Sequence, residues 1–168
     1  MRPAAALAAL LLSVGCNSPL EQVFSFSGDA PSRTGLVPLG DGAVFGNDAG
    51  RVVRLGPDGV ARWTAELAHE VRIRPVVVGE TVVVATSAGD VVGLDAGSGL
   101  QRWRTEIRGG AVALAGAGTR AHLLSEQGDL LGIDTVTGLL VWRVQCGPAL
   151  GLKPGASART GPSSGIVT

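Results

Sequence analysis

Tyrosine is absent from this sequence, lysine occurs only at Lys153, and neither sign of charge is in excess, with 14 basic and 14 acidic residues. The charge balance excludes the most. A chain with no net charge lacks the electrostatic attraction that nucleic acid or an anionic lipid surface demands, so neither is an expected partner. Cysteine is nearly absent too, with only Cys16 and Cys146, which rules out a disulfide framework. Proline numbers 9 and the glycines follow no three-residue period, which excludes collagen and low-complexity linker. What is present is 45% hydrophobic and 17% charged over 168 residues, enough for one globular domain, with 26 glycines that point to many tight turns.

Arg2 gives the chain a positive start, and residues 4–14 form an apolar run of the length of a signal-peptide core. That run is too short for a permanent bilayer helix, which takes about 20 apolar residues. Residues 1–15 are therefore expected to be an export signal. Leu12, Ser13, Val14, Gly15 and Cys16 together resemble a bacterial lipobox, in which a small residue precedes a cysteine that is lipidated and becomes the new N-terminus. The chain departs from that pattern at Ser13, where an aliphatic residue is preferred. The resemblance implies lipidation at Cys16 and attachment to a membrane by lipid alone. The alternative is an ordinary secretory signal, which leaves Cys16 a plain thiol or removes it. With Cys16 lipidated, Cys146 is left unpaired and is expected to be a small buried apolar side chain.

The dominant feature is a repeat. Trp63, Trp103 and Trp142 are separated by 40 and 39 residues, and an interval of 39 also links Gly50, Gly89 and Gly128, and then Leu55, Leu94 and Ile133. Within the middle copy, apolar runs over 75–78, 81–86, 90–95 and 100–106 are bounded by glycine-containing turns, which predicts four short strands. A four-stranded meander every 40 residues or so is the signature of a β-propeller blade. Helical solenoids need a 3.6-residue apolar rhythm that is lacking here. The fold is expected to be all-β, a partial propeller of three blades over residues 36–146. Subtracting 39 from Trp63 lands on Phe24, so residues 22–27 read as an outer strand without its own blade, within a lipidated N-terminal stretch of 16–35. The stretch 147–168 has few apolar residues and is expected to be a disordered or truncated tail.

The run from Gly89 through Leu94, Asp95 and Gly99 to Trp103 resembles the repeat of PQQ-like β-propellers, and the run from Gly128 through Ile133, Asp134 and Gly138 to Trp142 follows it. In the first copy Gly56 replaces the aspartate, and Val53, Val92 and Leu131 stand where the family usually has an aromatic residue. Within that family the resemblance is to exported lipoproteins without enzymatic activity, of the BamB-like type that serves outer-membrane β-barrel assembly. It implies a scaffold on the periplasmic face of a bacterial membrane, most naturally the outer one, whose partners are proteins, including outer-membrane assembly components. A fragment of a PQQ-dependent quinoprotein dehydrogenase and a small-ligand sensor propeller are the competing readings.

No catalytic residue, cofactor or metal site is expected. The inward-facing polar set that PQQ and its calcium require is not found, and His69 and His122 fall at different repeat positions with no carboxylate pair beside them, which suggests solvated or turn-facing side chains. The tryptophans are expected to pack across the seams between blades, each burying about 150–250 Å². Asp95 and Asp134 stand where a carboxylate caps the amides of the following turn, with calcium ligation as the alternative. Three blades leave two open faces, which implies either a truncated propeller or copies that assemble to close the ring.

Overall fold

The computed structural model describes residues 28–147. Blade 1 comprises β1 (Val37–Leu39), β2 (Gly42–Gly46), β3 (Arg51–Leu55) and β4 (Ala61–Glu66). Blade 2 comprises β5 (Val76–Val78), β6 (Thr81–Ala85), β7 (Asp90–Asp95) and β8 (Gln101–Glu106). Blade 3 comprises β9 (Ala111–Ala117), β10 (Arg120–Ser125), β11 (Asp129–Asp134) and β12 (Leu140–Gln145). Each blade is one antiparallel sheet whose strands pair in chain order. The protein is all-β, with three four-stranded repeats that make a partial propeller.

The strands of blade 2 match the sequence pattern to within a residue, and the differences have local causes. Pro75 has no N–H to donate to a ladder, so β5 begins at Val76. Thr86 leaves β6 because its hydroxyl accepts the amide of Asp90 at 3.1 Å and so closes the β6–β7 turn. Leu100 stays in the turn before β8, 71% exposed.

A bulge recurs at one place in every blade. The pairing of the third and fourth strands shifts between Arg54 and Leu55, between Gly93 and Leu94, and between Gly132 and Ile133. The unpaired residues are Arg62, Arg102 and Val141, each immediately before a tryptophan. An inserted residue bends a strand and re-aims the side chain that follows, which here sets the indole against the sheet.

Blade 2 lies between the other two, and its inner strands β6 and β7 are largely apolar on both faces, as strands covered on both sides must be. Val82, Val84, Val92 and Leu94 pack with Val44, Val52, Trp63 and Val71 in the first seam. From the opposite face Val83, Ala85, Val91 and Trp103 pack with Ala121, Leu123, Leu131 and Ile133 in the second. All five residues of β6 are buried as a result.

Candidate functional site

Both inner tryptophans bridge blades. Trp63 donates its indole N–H to the Ala96 carbonyl of blade 2 at 3.1 Å, and Trp103 donates to the Thr135 carbonyl of blade 3 at 2.8 Å. Each ring lies on the turn glycine of the next blade. A Cβ at Gly99 would sit 2.6 Å from the Trp63 ring, and one at Gly138 equally close to that of Trp103. Within its own blade each of the later rings lies over a glycine of the third strand, since a Cβ on Gly93 would overlap Trp103 and one on Gly132 would overlap Trp142. Blade 1 carries Arg54 at that position and turns it to use, because the guanidinium donates to the same Ala96 carbonyl at 3.0 Å.

Gly50, Gly89 and Gly128 hold the other end of each blade. Their carbonyls accept the amides of Leu67, Ile107 and Cys146, tying the end of the fourth strand to the start of the third. Their φ values of 77°, 97° and 79° lie in the left-handed region, where a side chain is strained.

Asp95 closes the β7–β8 turn. Its Oδ1 accepts the amides of Gly97 and Ser98 and the Ser98 hydroxyl, while Oδ2 accepts the Arg102 guanidinium from the bulge. The Ser98 amide foremost, then the Ser98 hydroxyl and Arg102, hold the Asp95 carboxyl far below its ordinary value, and Asp95 in turn raises Arg102. Both Asp95 oxygens are thus engaged, one by the turn and one by the bulge arginine. Asp134 repeats the turn contacts with Val136 and Thr137, and the Thr137 amide leads in lowering its pKa. Val141 in place of the arginine leaves it without the bulge partner. In blade 1, where Gly56 replaces the aspartate, Asp58 accepts from Val60 and from Arg62, so the same bulge arginine is held from two residues further on.

Two expectations need correction. Cys146 is exposed, not buried. It occupies the position of Leu67 and Ile107, which pack into the two seams, and the described residues contain no blade beyond β12 to cover it. His122 does not lie in a turn. It sits within β10 opposite Gly132, half-buried, and stacks on Trp142 with ring centroids 5.5 Å apart. His69 lies in the bend after β4 with about half of its side chain exposed, and its Nδ1 is 3.3 Å from a single carboxylate, that of Asp90, whose Oδ1 Arg104 binds.

A further ladder at the 39-residue interval joins Asn47, Thr86 and Ser125, all buried. Their side-chain oxygens accept the amides of Arg51, Asp90 and Asp129 and cap the turn between second and third strands. Identity hides this ladder, because three residue types alternate in one role. Reading the interval by hydrogen-bonding capacity would have found it.

Trp142 marks the face that differs. Its ring is only half-buried, and around it His122, Leu124 and Leu130 are partly exposed while Val144 and Cys146 are exposed. These are the blade 3 equivalents of the residues that blade 2 buries in its seam with blade 3. Among the described residues no group of three or more His, Cys, Asp or Glu side chains is arranged to hold a metal ion. Cys16, residues 22–27 and the tail beyond 147 lie outside the described residues.

Among solved structures, BamB from Moraxella catarrhalis is similar over 71% of this chain at 26% identity with a TM-score of 0.65. The chain spans 38% of the length of that protein. The computationally designed Ika4 protein matches with a TM-score of 0.64 and 17% identity over 70% of this chain and 74% of its own, and the designed Ika8 protein with 0.60 and 18% over 66% and 35%. At such identities these two show the fold alone. No curated protein matches the chain. The profile of the outer-membrane protein assembly factor BamB matches residues 22–164, and over that span this chain, with its seam tryptophans and 39-residue blades, belongs to the BamB family.

Proposed function

We propose that this chain is a non-catalytic propeller scaffold that docks other proteins on the periplasmic face of a bacterial outer membrane, in the service of outer-membrane protein assembly. The observation that carries this reading is family membership across residues 22–164. It is supported by the use to which the repeated residues are put, since tryptophan, glycine and aspartate ladders hold blade to blade and turn to strand. Rigid stacked sheets present loops at fixed spacing, which suits docking and needs no reacting group. In the same proposal residues 1–15 direct export, Cys16 carries the lipid anchor, residues 22–27 add an outer strand and 36–146 form the blades.

The test is depletion of the protein in its own bacterium, followed by measurement of folded outer-membrane β-barrels from their heat-modifiable gel mobility. A fall in folded barrels, restored by the intact gene, is the expected result. Unchanged barrel levels would overturn the assembly role. Titration of the purified chain with PQQ and calcium separates the quinoprotein reading, which requires saturable binding.

A further inference from the structure

The first residue of the third strand forms a charged ladder, Arg51, Asp90 and Asp129, at the 39-residue interval. In blades 1 and 2 a partner reaches it from the stretch ahead of the first strand. Asp29 binds Arg51 at 2.9 Å, and the His69 ring lies 3.3 Å from Asp90 Oδ2 while Arg104 holds Oδ1, so both oxygens of Asp90 are engaged. Asp129 breaks the series. Arg143 binds its Oδ2, but Oδ1 is buried and accepts no hydrogen bond among the described residues, on a side chain only 4% exposed. Arg108, the repeat equivalent of His69, is exposed and is in no ion pair among the described residues. A buried carboxylate oxygen without a donor carries the desolvation cost of a charged group, so the position favours an N–H that can reach it.

A hollow of about 190 Å³ lies beside this carboxylate in the second seam, between the end of β8 and the β11–β12 pair. Blade 2 contributes Glu106, Ile107 and Arg108 to its wall, and blade 3 contributes Asp129, Leu131 and Leu140. Both walls belong to adjoining blades of this chain, whatever precedes or follows them. The volume exceeds the roughly 150 Å³ that accommodates a benzene ring, so the hollow takes a molecule of about six to ten non-hydrogen atoms.

Charge decides which kind of molecule. An anion alone would meet Glu106, 81% exposed at the rim, and the unpartnered oxygen of Asp129. A cation alone would meet Arg108 and lie beside Arg143. We propose that the hollow binds a free apolar α-amino acid, with its ammonium group on Asp129 Oδ1 and its carboxylate on Arg108. Glu106 adds a second negative charge near the ammonium group, and the apolar side chain rests on Ile107, Leu131 and Leu140. The ammonium group gives blade 3 the donor that His69 gives blade 2. Such a ligand touches both walls of the seam, and by binding the folded chain alone it raises stability by mass action. The site is separate from the docking role, and its test involves no barrel assembly.

The experiment is isothermal titration calorimetry of the purified full chain with L-leucine, and with 3-methylbutylamine and 4-methylpentanoate, which lack the carboxylate and the ammonium group. Saturable one-to-one binding of leucine is expected, with each analogue weaker by about 10-fold or more, as the loss of one charge-assisted contact brings. Arg108→Gln and Glu106→Gln should each weaken leucine by about 10-fold and leave the melting temperature without leucine unchanged, because both side chains are exposed. Asp129→Asn should abolish binding, and the two exposed variants decide the matter if that chain does not fold. Leucine that fails to saturate up to its solubility limit overturns the proposal. So does equal affinity for leucine and 3-methylbutylamine, which would make this a site for a cation alone, and so does leucine binding that Arg108→Gln leaves unchanged.

Discussion

Trp63 and Ala96 stand in neighbouring blades 33 residues apart, and the indole N–H of the first meets the backbone carbonyl of the second at 3.1 Å. Arg54 reaches the same carbonyl, so one acceptor in blade 2 anchors two side chains of blade 1. Trp103 and Thr135 repeat the bond one blade on. A buried indole must satisfy its N–H, and a backbone carbonyl at a strand end supplies a fixed acceptor that no side-chain substitution removes.

Trp103→Ala is expected to cost about 3–5 kcal/mol, the range for deleting a large buried aromatic. Trp142→Ala is expected to cost less, about 1–2 kcal/mol, because its ring packs chiefly on His122 and its own Gly132 and remains half-exposed. Guanidinium titration makes the comparison, and equal losses would mean that the seam contributes nothing to Trp103.

Gly99→Ala and Gly118→Ala separate contact from backbone strain. Both glycines have left-handed φ, +74° and +59°, but a Cβ at Gly99 meets the Trp63 ring at 2.6 Å while one at Gly118 meets nothing within 4 Å. Gly118→Ala should lose about 1 kcal/mol to strain alone. Gly99→Ala should lose roughly 1–3 kcal/mol more, as overpacking does, with a shifted Trp63 fluorescence as the local sign.

Stability should fall at acid pH with a contribution from Asp95. Its pKa is depressed in the folded state, so its stabilisation is complete above the unfolded carboxylate value of about 3.9 and is lost as pH falls from there through the lower folded value. Asp134 and Asp58, lowered by the amides of Thr137 and Val60, act in the same direction. Asp95→Asn should flatten the acid limb of a denaturation series between neutral and strongly acid pH. A limb of unchanged slope would show that the turn caps do not couple to folding.

Cys16→Ser should shift the protein from the membrane fraction to the soluble periplasm, and a clickable fatty acid should label the wild type only. The export signal proposed for residues 1–15 motivates this, together with the small Gly15 before the cysteine. A diacyl chain with an N-acyl chain contributes about 0.8 kcal/mol per buried CH₂, which suffices for stable attachment. Unlabelled, soluble wild-type protein would return Cys16 to the role of a plain thiol.

The repeat was legible in the sequence because its causes are local. Glycine where φ is positive, alternating apolar residues between turns, and a tryptophan eight or nine residues after a leucine or isoleucine are properties of one short segment, and each copy states them again. The strand limits of blade 2, to within a residue, and the number of repeats followed from those. Side-chain chemistry across the seams was not legible in the same way. Nothing in the composition of β8 says that Gly138 must be glycine for the sake of Trp103, because the clash lies 35 residues away. The buried caps at Asn47, Thr86 and Ser125 escaped for a different reason, since one hydrogen-bonding role is filled by three residue types.

Cys146 and Trp142 show the division most plainly. From the sequence alone both belong with their repeat partners, Ile107 and Trp103, and should be buried like them. The tertiary arrangement decides otherwise, because burial is a property of what lies opposite a side chain. Ile107 and Trp103 face blade 3, whereas Trp142 and Cys146 face no blade among the described residues. Local propensity therefore sufficed to determine the strands and turns of the middle blade and the repeat of its pattern, while the assignment of each face to core or to exposed surface required the blades to be stacked.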